Sequence, residues 1–337
     1  MDCILGMDVG GTNTSIGIFD KKLNQLLSFK YSTKHVHPYK SLSQAAAEAK
    51  KKGMTVTAAG IAVAGPVKDG KAHLTNAGIS LSLEKFKKNL KIKNAVMLND
   101  FEAVAYGLNA IGKNDILALT KNKPLEKSVK VVLGAGTGLG KAVLYFNEKK
   151  GFHVPLRAEE GHTAIAVATK EEFSLMEFIK KRKKADVVWE DILSGRGIAN
   201  VYDFLSQKKR IKSSISSEIA SYPDKASIIA KYRKTDTACK EAFAVFARIY
   251  ARFIRNSMLA ALPYGGVYIA GGIAMKNPDI LTSKEFKKEL YKKAVYSDIV
   301  KKIPLFLITN RGIGMKGAAF CALNESQNKL PREAMTN

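Results

Sequence analysis

Cysteine is scarce in this sequence, and the scarcity argues against two common ways of stabilising a fold. The chain has 337 residues and three cysteines, Cys3, Cys239 and Cys321, which lie far apart and form no Cys-x-x-Cys pair. An odd number of widely separated cysteines indicates neither a disulfide framework nor a zinc cluster. A reducing cytoplasm is therefore the expected location of the protein.

Long apolar runs are missing as well. No stretch approaches the roughly 20 apolar residues that cross a bilayer, so no membrane partner is expected. The N-terminal segment, MDCILGMDVGGTN, carries an acidic residue near its start and lacks the basic region of a signal peptide. Because hydrophobic residues make up 46% of the chain, we expect a globular protein with a substantial core and two domains of ordinary size.

Negative charge is the third shortage. The chain has 30 Asp and Glu against 55 Lys and Arg, a formal net charge of +25. Such a field attracts anionic metabolites and polyanions. The basic residues are dispersed in short clusters, such as residues 49–53 and 179–186, without a zinc-finger or RNA-recognition signature. This argues against nucleic acid as a partner and favours a generally basic surface, with a dedicated polyanion site as the alternative.

Apolar strand-like runs alternate with helical patterns, which is typical of an α/β protein. Strands are predicted at residues 3–9, 15–20, 25–31, 57–67, 94–98, within 129–146, at 265–274 and at 302–309. Helices are predicted at residues 41–52, 100–112, 236–262, 283–295 and 314–324. In the longest helix, apolar residues recur at three- and four-residue steps and are predicted to lie in the core: Phe243, Phe246, Ile249, Tyr250, Phe253 and Ile254.

A pattern of strand, Gly/Thr turn and strand occurs at residues 3–20 and again at residues 129–146, which indicates a duplicated α/β domain. The apolar pattern is interrupted near residues 110–115, where we place the domain junction; the Pro/Lys-rich loop at 120–128 is the alternative hinge. The expected division is a small α/β domain of residues 1–112 plus 311–337, and a large α/β domain of residues 113–310.

Three glycine-rich turns each follow an apolar strand: DVGGTNTS at 8–15, GAGTGLG at 134–140 and AGGI at 270–273. Glycines let backbone N–H groups approach a phosphate, and Thr12, Thr14 and Thr137 can add hydroxyl donors. The turns match neither the Walker A pattern nor the dinucleotide fingerprint. A single such turn is more often a tight hairpin, but two at matching points and a third glycine pair favour phosphate binding.

Asp8 stands beside the first of these turns. A carboxylate next to bound phosphate is repulsive unless a cation intervenes, so the position favours an Mg²⁺ site held partly through water. The alternative is an aspartate that caps its own turn. In the same way, Asp100 follows a predicted strand and opens a predicted helix, where it could be an ordinary N-cap.

The order of several motifs resembles that of bacterial-type glucokinases, members of the actin-like sugar kinase superfamily. The motifs are DVGGTN at 8–13, LND at 98–100, GTGLG at 136–140, AEEGH at 158–162, EDILSGRG at 190–197 and AGGI at 270–273. The resemblance covers residues 3 to about 325. It implies a two-domain, actin-like ATPase (ribonuclease H-like) fold with an interdomain cleft, and a cytoplasmic enzyme of glycolysis that phosphorylates glucose at its 6-hydroxyl.

The resemblance also implies roles for individual residues. Asp100 is the expected catalytic base. The expected hexose ligands are Asn76, Asn99, Asp100, Glu159, His162 and Glu190. ATP is expected to be bound by Asp8, which also serves Mg²⁺, and by Gly10, Gly11, Thr12, Asn13, Gly136, Thr137, Gly138, Gly271 and Gly272. A homodimer would be usual for this family.

The sequence departs from the family pattern at several places. Met7 stands where a glycine is usual, Glu160 replaces a common glycine, Arg196 replaces a usual proline, and Lys141 follows GTGLG. After Asn76 the usual aromatic residue is absent. These departures affect sugar selectivity, so a kinase for another hexose or an amino sugar, or a sugar-sensing regulator on the same fold, stays an alternative. The donor (ATP, ADP or polyphosphate) is also left open.

Overall fold

A computed structural model describes residues 1–74, 77–208, 211 and 213–326. Its strands are β1 (Asp2–Val9), β2 (Asn13–Phe19), β3 (Gln25–Ser32), β4 (Thr55–Val63), β5 (Val67–Lys68), β6 (Lys71–Leu74), β7 (Ile79–Ser82), β8 (Asn94–Asn99), β9 (Ile116–Ala118), β10 (Lys130–Ala135), β11 (Leu139–Asn147), β12 (Phe152–Ala158), β13 (Val267–Ala270) and β14 (Leu305–Ile308).

The α-helices are α1 (Pro38–Lys51), α2 (Leu83–Leu90), α3 (Asp100–Gly107), α4 (Lys170–Lys183), α5 (Gly195–Gln207), α6 (Ser216–Ser221), α7 (Lys225–Tyr232), α8 (Thr237–Ala261), α9 (Gly272–Lys276), α10 (Lys284–Leu290), α11 (Ser297–Lys302) and α12 (Ile313–Ser326). Short 3₁₀ helices lie at Lys113–Asp115, Glu160–His162, Trp189–Asp191 and Pro278–Thr282. Among the described helices, none is long and apolar enough to cross a membrane.

The chain divides into two compact units. The first contains residues 1–116, 144–156 and the chain from 310 onward, and the second contains residues 117–143 and 157–309. The sequence had placed residues 144–156 in the large domain, whereas here they group with the first unit.

The sheet of the first unit has the strand order β3-β2-β1-β4-β8. The predicted hairpin of β1 and β2 is antiparallel, and β4 pairs in parallel with both β1 and β8. Both faces are covered: one by a cluster that includes Leu5 and Leu42 of α1, the other by a cluster that includes Ile4 and Ala319 of α12. Burial on both faces explains why β1 is an almost continuous apolar run.

Helix α12 lies against this sheet without the usual spacing, because glycines face it. A Cβ atom at Gly6 of β1 would overlap the carbonyl of Met315, and one at Gly60 of β4 would overlap the carbonyl of Ala318. On the helix itself, Gly317 lets the carbonyl of Ala103 in α3 approach in the same way. The missing side chains bring the helix backbone close to two strands and to α3.

A second sheet has the strand order β12-β11-β10-β13-β14-β9. β10, β13 and β14 are parallel neighbours. The long helix α8 begins after Asp236, whose carboxylate accepts a hydrogen bond from the backbone N–H of Cys239. Its predicted apolar stripe is confirmed as part of the core of the second unit.

A third, small antiparallel sheet has the order β5-β6-β7 and precedes α2. It was not predicted, because its strands have two to four residues and alternate with exposed positions. Asn76 falls between β6 and β7 and lies outside the described residues.

Three predicted helices have different limits. α1 begins three residues earlier than expected, at Pro38, because the ring of His37 accepts a hydrogen bond from the N–H of Tyr39 and caps the helix. α3 ends at Gly107 and not at residue 112; the amide of Asn109 donates to the carbonyls of Tyr106 and His153 beyond its end. α10 ends at Leu290, before the exposed residues 292–295.

Candidate active site

Asn99 and Asp100 stand where β8 ends and α3 begins. The carboxamide oxygen of Asn99 accepts hydrogen bonds from the N–H groups of Phe101, at 2.9 Å, and Glu102, at 3.3 Å. Its amide nitrogen donates to the carbonyl of Gly65, at 3.0 Å. Asn99 is therefore the N-cap of α3, the role that the sequence had offered to Asp100 as an alternative.

Asp100 is the first residue of α3, and its Oδ1 accepts a hydrogen bond from the N–H of Phe101 at 2.8 Å. The side chain is partly buried. The N-terminus of a helix favours a negatively charged side chain, because its backbone N–H groups carry partial positive charge. The local structure thus holds the Asp100 carboxylate in a defined place.

Asp8 lies near Asp100 in the same unit. Burial, and then the negative charge of Asp100, raise the pKa of Asp8 to about 6. Gly314, at the start of α12, also lies near Asp8: a Cβ atom there would be 3.1 Å from Oδ2 of Asp8. The first unit therefore contains two interacting carboxylates, one near the end of β1 and one at the start of α3.

The first glycine-rich turn joins β1 to β2. The N–H of Gly10 donates to the carbonyl of Asn13 at 2.9 Å, and the hydroxyl of Thr33 donates to the carbonyl of Gly10 at 2.8 Å. Thr12 and Asn13 are exposed. Thr14, which the sequence offered as a further phosphate donor, is fully buried and its hydroxyl lies 3.0 Å from that of Thr33. That expectation for Thr14 is wrong, because its side chain points into the unit.

The second glycine-rich turn joins β10 to β11 in the second unit. The N–H of Gly136 donates to the carbonyl of Gly138 at 2.8 Å, and the carbonyl of Gly136 accepts from the N–H of Gly195 at 2.8 Å. No atom lies within 4 Å of a Cβ built on Gly136, and Thr137 is exposed. The outer side of this turn is open, as an approach of its backbone to a ligand requires.

The inner side of the same turn faces Glu190. Its Oε2 accepts a hydrogen bond from the N–H of Leu139 at 2.9 Å, and a Cβ at Gly138 would lie 2.6 Å from that oxygen. The other oxygen, Oε1, accepts from the guanidinium of Arg196 at 3.2 Å. The sequence had assigned Glu190 to the sugar and Gly138 to the nucleotide, and the structure brings these two groups together.

Glu159 precedes the 3₁₀ helix at Glu160–His162, and His162 is the last residue of that helix; both are exposed. Gly161 fixes this helix on β11, because a Cβ there would overlap the carbonyl of Leu139. The buried ammonium of Lys141 forms an ion pair with Glu160 next to it. Lys141 and Glu160, which both depart from the family pattern, thus pair with each other. The sequence alone did not reveal this contact.

The segment after this 3₁₀ helix is also tied to the one that carries Glu190. The N–H of Trp189 donates to the carbonyl of Thr163 at 3.2 Å, and Ala164 forms a β-bridge with Val188. Predicted sugar ligands from two motifs therefore occupy one region of the second unit, beside the turn at residues 136–139.

The third glycine pair joins β13 to α9. Gly271 has a φ of +90°, in the left-handed region that favours glycine, and a Cβ there would lie 2.9 Å from the backbone nitrogen of Ala135. A Cβ at Gly272 meets no atom within 4 Å. Gly271 is thus needed by the backbone, whereas Gly272 presents an open surface. Within the described residues, no cluster of three or more metal-ligating side chains occurs.

The fold is similar to those of solved sugar kinases. A glucokinase from an Antarctic psychrotroph matches with a TM-score of 0.81 at 27% identity, covering 96% of this chain and 99% of that chain. A ROK family glucokinase from Streptomyces griseus, in complex with glucose and AMPPNP, matches with a TM-score of 0.62 at 20% identity, covering 94% and 98%. The predicted α/β fold of the actin-like class is confirmed.

Comparison with known sequences identifies one family within this class of sugar kinases. The family model described as Glucokinase matches residues 5–325. A glucokinase from Nostoc punctiforme is 30% identical over 340 residues, covering 96% of this chain and 99% of that protein. The chain belongs to the glucokinase family, and the resemblance inferred from the order of its motifs is confirmed.

Proposed function

We propose that this protein transfers the γ-phosphoryl group of ATP to the 6-hydroxyl of glucose. Membership of the glucokinase family supports a glucose kinase. The observation that carries the chemistry is the position of Asp100, fixed where β8 meets α3, with its carboxylate on the backbone N–H of Phe101 and a second carboxylate, Asp8, beside it.

Asp100 is the proposed general base. Its carboxylate takes the proton of the sugar hydroxyl while the hydroxyl oxygen bonds to the γ-phosphorus. The bond between that phosphorus and the bridging oxygen of the departing ADP breaks in the same displacement. Asn99 supports this role by capping α3, because the cap fixes the backbone from which Asp100 projects.

The glycine-rich turns are the proposed nucleotide site. Their open backbone suits a group with many anionic oxygens, which accept hydrogen bonds from N–H donors. The AMPPNP in the Streptomyces griseus structure supports an adenine nucleotide as donor. The residues assigned to the nucleotide are Gly10, Gly11, Thr12, Asn13, Gly136, Thr137, Gly138, Gly271 and Gly272.

The residues present also fit Mg²⁺. The pKa of Asp8 is raised to about 6 by burial and by the charge of Asp100, so a cation would relieve both penalties. Mg²⁺ is commonly held by one or two carboxylates together with substrate phosphates and water. We assign Asp8 to hold it, and when bound it supplies positive charge that neutralises the phosphates.

Glucose carries many hydroxyls and no charge, so its site needs carboxylates, amides and imidazole. We assign Asn99, Glu159, His162 and Glu190 to supply these groups. Asn76 is assigned with them on the sequence motif alone. The glucose in the Streptomyces griseus structure supports a hexose as substrate.

Substitution of Asp100 by Asn tests the proposal. The amide keeps an oxygen for the N–H of Phe101 but loses the basic carboxylate, so we expect kcat to fall by about a thousandfold. Binding of AMPPNP, followed by calorimetry, should persist. Asp20→Asn is a matched control, because Asp20 also accepts backbone N–H groups after a strand of the first unit. Wild-type turnover in Asp100→Asn would disprove the base assignment.

A phosphorylation panel separates the alternatives. Glucose, mannose, N-acetylglucosamine and fructose are each tested with ATP, and we expect the highest kcat/KM with glucose. A higher kcat/KM with another hexose or with the amino sugar would replace glucose as the substrate. Binding of glucose without turnover of any sugar would favour a sugar-sensing protein.

A further inference from the structure

The second unit carries a lysine-rich groove that the proposed reaction does not use. The groove is open to solvent and has a volume of about 840 Å³. It is lined by Thr282, Lys284, Lys287, Lys288, Tyr291, Lys292 and Lys293. None of the residues assigned to glucose, ATP or Mg²⁺ is among them, so it is a separate surface, which we name the lysine groove.

Helical spacing gathers these side chains. Lys284, Lys287 and Lys288 are three and four residues apart on α10, and Tyr291 follows three residues later, just beyond the helix end. Residues at these steps share one face of a helix. The opposite face is anchored in the core by the buried Phe286. The lysine face of α10 is thus oriented toward solvent, because the apolar face of the helix is fixed in the core.

Within the described residues, the lysines of the groove form no ion pair with a neighbouring acid, including Glu285 on α10 itself. Elsewhere, three lysines pair with an acid three residues before them: Lys51–Glu48, Lys87–Glu84 and Lys301–Asp298. Throughout the described ranges, the five groove lysines have no carboxylate oxygen within 4.0 Å of their ammonium groups.

One reason is the orientation of Glu289, an acid of α10 itself. Its carboxylate is buried, accepts a hydrogen bond from Nε of Arg252 at 2.9 Å and lies 3.5 Å from Nη2 of Arg255. The negative charge of Glu289 therefore lies inside the unit and does not offset the lysines of the groove. Positive potential therefore accumulates over this shallow, open surface and attracts an incoming anion.

We propose that the lysine groove binds single-stranded nucleic acid through its phosphate backbone. Proteins that bind single strands without sequence preference combine a basic groove with aromatic rings on which bases stack. Tyr291 lines the groove, and Tyr296, 61% exposed, follows it in the sequence. The sequence has no recognised base-reading module, so backbone charge and stacking determine the binding. An aromatic ring favours a strand, whose bases can stack on it, over a lipid headgroup, which has no base to stack.

Fluorescence anisotropy with a labelled RNA of roughly 15 nucleotides and mixed sequence tests this proposal. We expect affinity to fall with salt, with a log–log slope of about −0.7 for each neutralised phosphate. Lys287→Glu combined with Lys288→Glu should weaken binding by about tenfold or more and flatten that slope. Tyr291→Ala should weaken binding about fivefold, and Tyr291→Phe should not, because the ring remains.

The matched control is Lys50→Glu combined with Lys52→Glu, two exposed lysines at the end of α1 that change the net charge equally. Equal losses in both pairs would show a response to total charge and overturn the proposal. It would also be overturned if inorganic polyphosphate or vesicles containing anionic lipid bound and RNA did not. Phosphorylation of glucose by ATP should be unchanged in both double variants. This test is therefore independent of the proposed function.

Discussion

The environment of Asp8 disfavours the ionised form of its carboxyl group. Its folded pKa, about 6, lies above the ordinary value of 3.8 because of burial and the nearby Asp100. A raised pKa means that the folded protein binds this proton more tightly than the unfolded chain does. Ionised Asp8 therefore destabilises the unliganded fold at neutral pH, and the penalty declines as the pH falls through 6 toward 4.

Replacing Asp8 by Asn should therefore stabilise the unliganded protein while impairing catalysis. At about pH 7.5 we expect an increase in the free energy of unfolding of up to about 3 kcal/mol, and roughly half that at about pH 5. Thermal and urea denaturation at both pH values measure it. The variant should also lose the stabilisation that Mg²⁺ with AMPPNP gives the wild type. A pH-independent difference would contradict the assigned pKa.

Arg196 affects Glu190, the predicted sugar ligand. Its guanidinium holds Oε1 of Glu190 at 3.2 Å, and a sugar hydroxyl would compete for that oxygen. The Arg196 side chain is 63% exposed, so the pair is worth at most about 1 kcal/mol.

We expect Arg196→Ala to lower the KM for glucose by up to about fivefold with little change in kcat. Steady-state kinetics with varied glucose measures the effect. Arg182→Ala is the control, because it removes a similar ion pair, with Asp203, from the same unit. A higher KM for glucose in Arg196→Ala would mean that the guanidinium assists sugar binding.

The elements of the second unit show how a short helix is fixed on a strand. The 3₁₀ helix at Glu160–His162 contacts β11 through Gly161 and through the ion pair of Glu160 with Lys141. The partners are unequal: the Lys141 side chain is 3% exposed and that of Glu160 is 29% exposed. Losing Glu160 leaves a buried ammonium without its carboxylate, whereas losing Lys141 leaves a carboxylate that water can reach.

A double-mutant cycle should show this asymmetry. Glu160→Gln should destabilise by about 3 kcal/mol, Lys141→Met by about 1 kcal/mol, and the double variant by less than Glu160→Gln alone. Urea denaturation measures these energies. If the 3₁₀ helix positions Glu159 and His162, the KM for glucose should rise in Glu160→Gln and recover in the double variant, while the KM for ATP stays constant. Additive, equal losses would contradict the pairing.

Local elements were predictable from sequence, because their signals lie within a few residues. The hairpin of β1 and β2, the core stripe of α8 and the position of Asn99 and Asp100 between β8 and α3 all have such signals. α4 was not predicted: it is rich in charge, and its Glu172 is buried against Arg252 from α8, 80 residues away. A sequence pattern that spans a few residues does not indicate a contact between residues so far apart in the chain.

The same reasoning applies to the candidate site. The glycine-rich turns and the acids near them were identified from motifs. The hydrogen bond from Leu139 to Glu190 joins residues 51 positions apart, and the pair of Lys141 and Glu160 joins residues 19 positions apart. The sequence flagged Lys141, Glu160 and Arg196 as unusual, but their partners are set by the packing of β11 against two 3₁₀ helices.

At the scale of the whole molecule, the net charge of +25 should govern how the two substrates arrive. ATP with its Mg²⁺ is an anion and is attracted over distances that salt screens, whereas glucose is neutral. We expect kcat/KM for ATP to fall several-fold between about 20 mM and about 300 mM salt, with kcat/KM for glucose changing less than about twofold. Parallel falls for both substrates would point to salt acting on the enzyme itself.

The close packing of α12 on the sheet of the first unit, which glycines permit, has a consequence for folding during synthesis. β1 leaves the ribosome well before α12, which covers one face of its sheet. A nascent chain therefore exposes that apolar face until α12 has been made. The first unit reaches its native packing only after α12 has been translated, although its strand β1 is made much earlier.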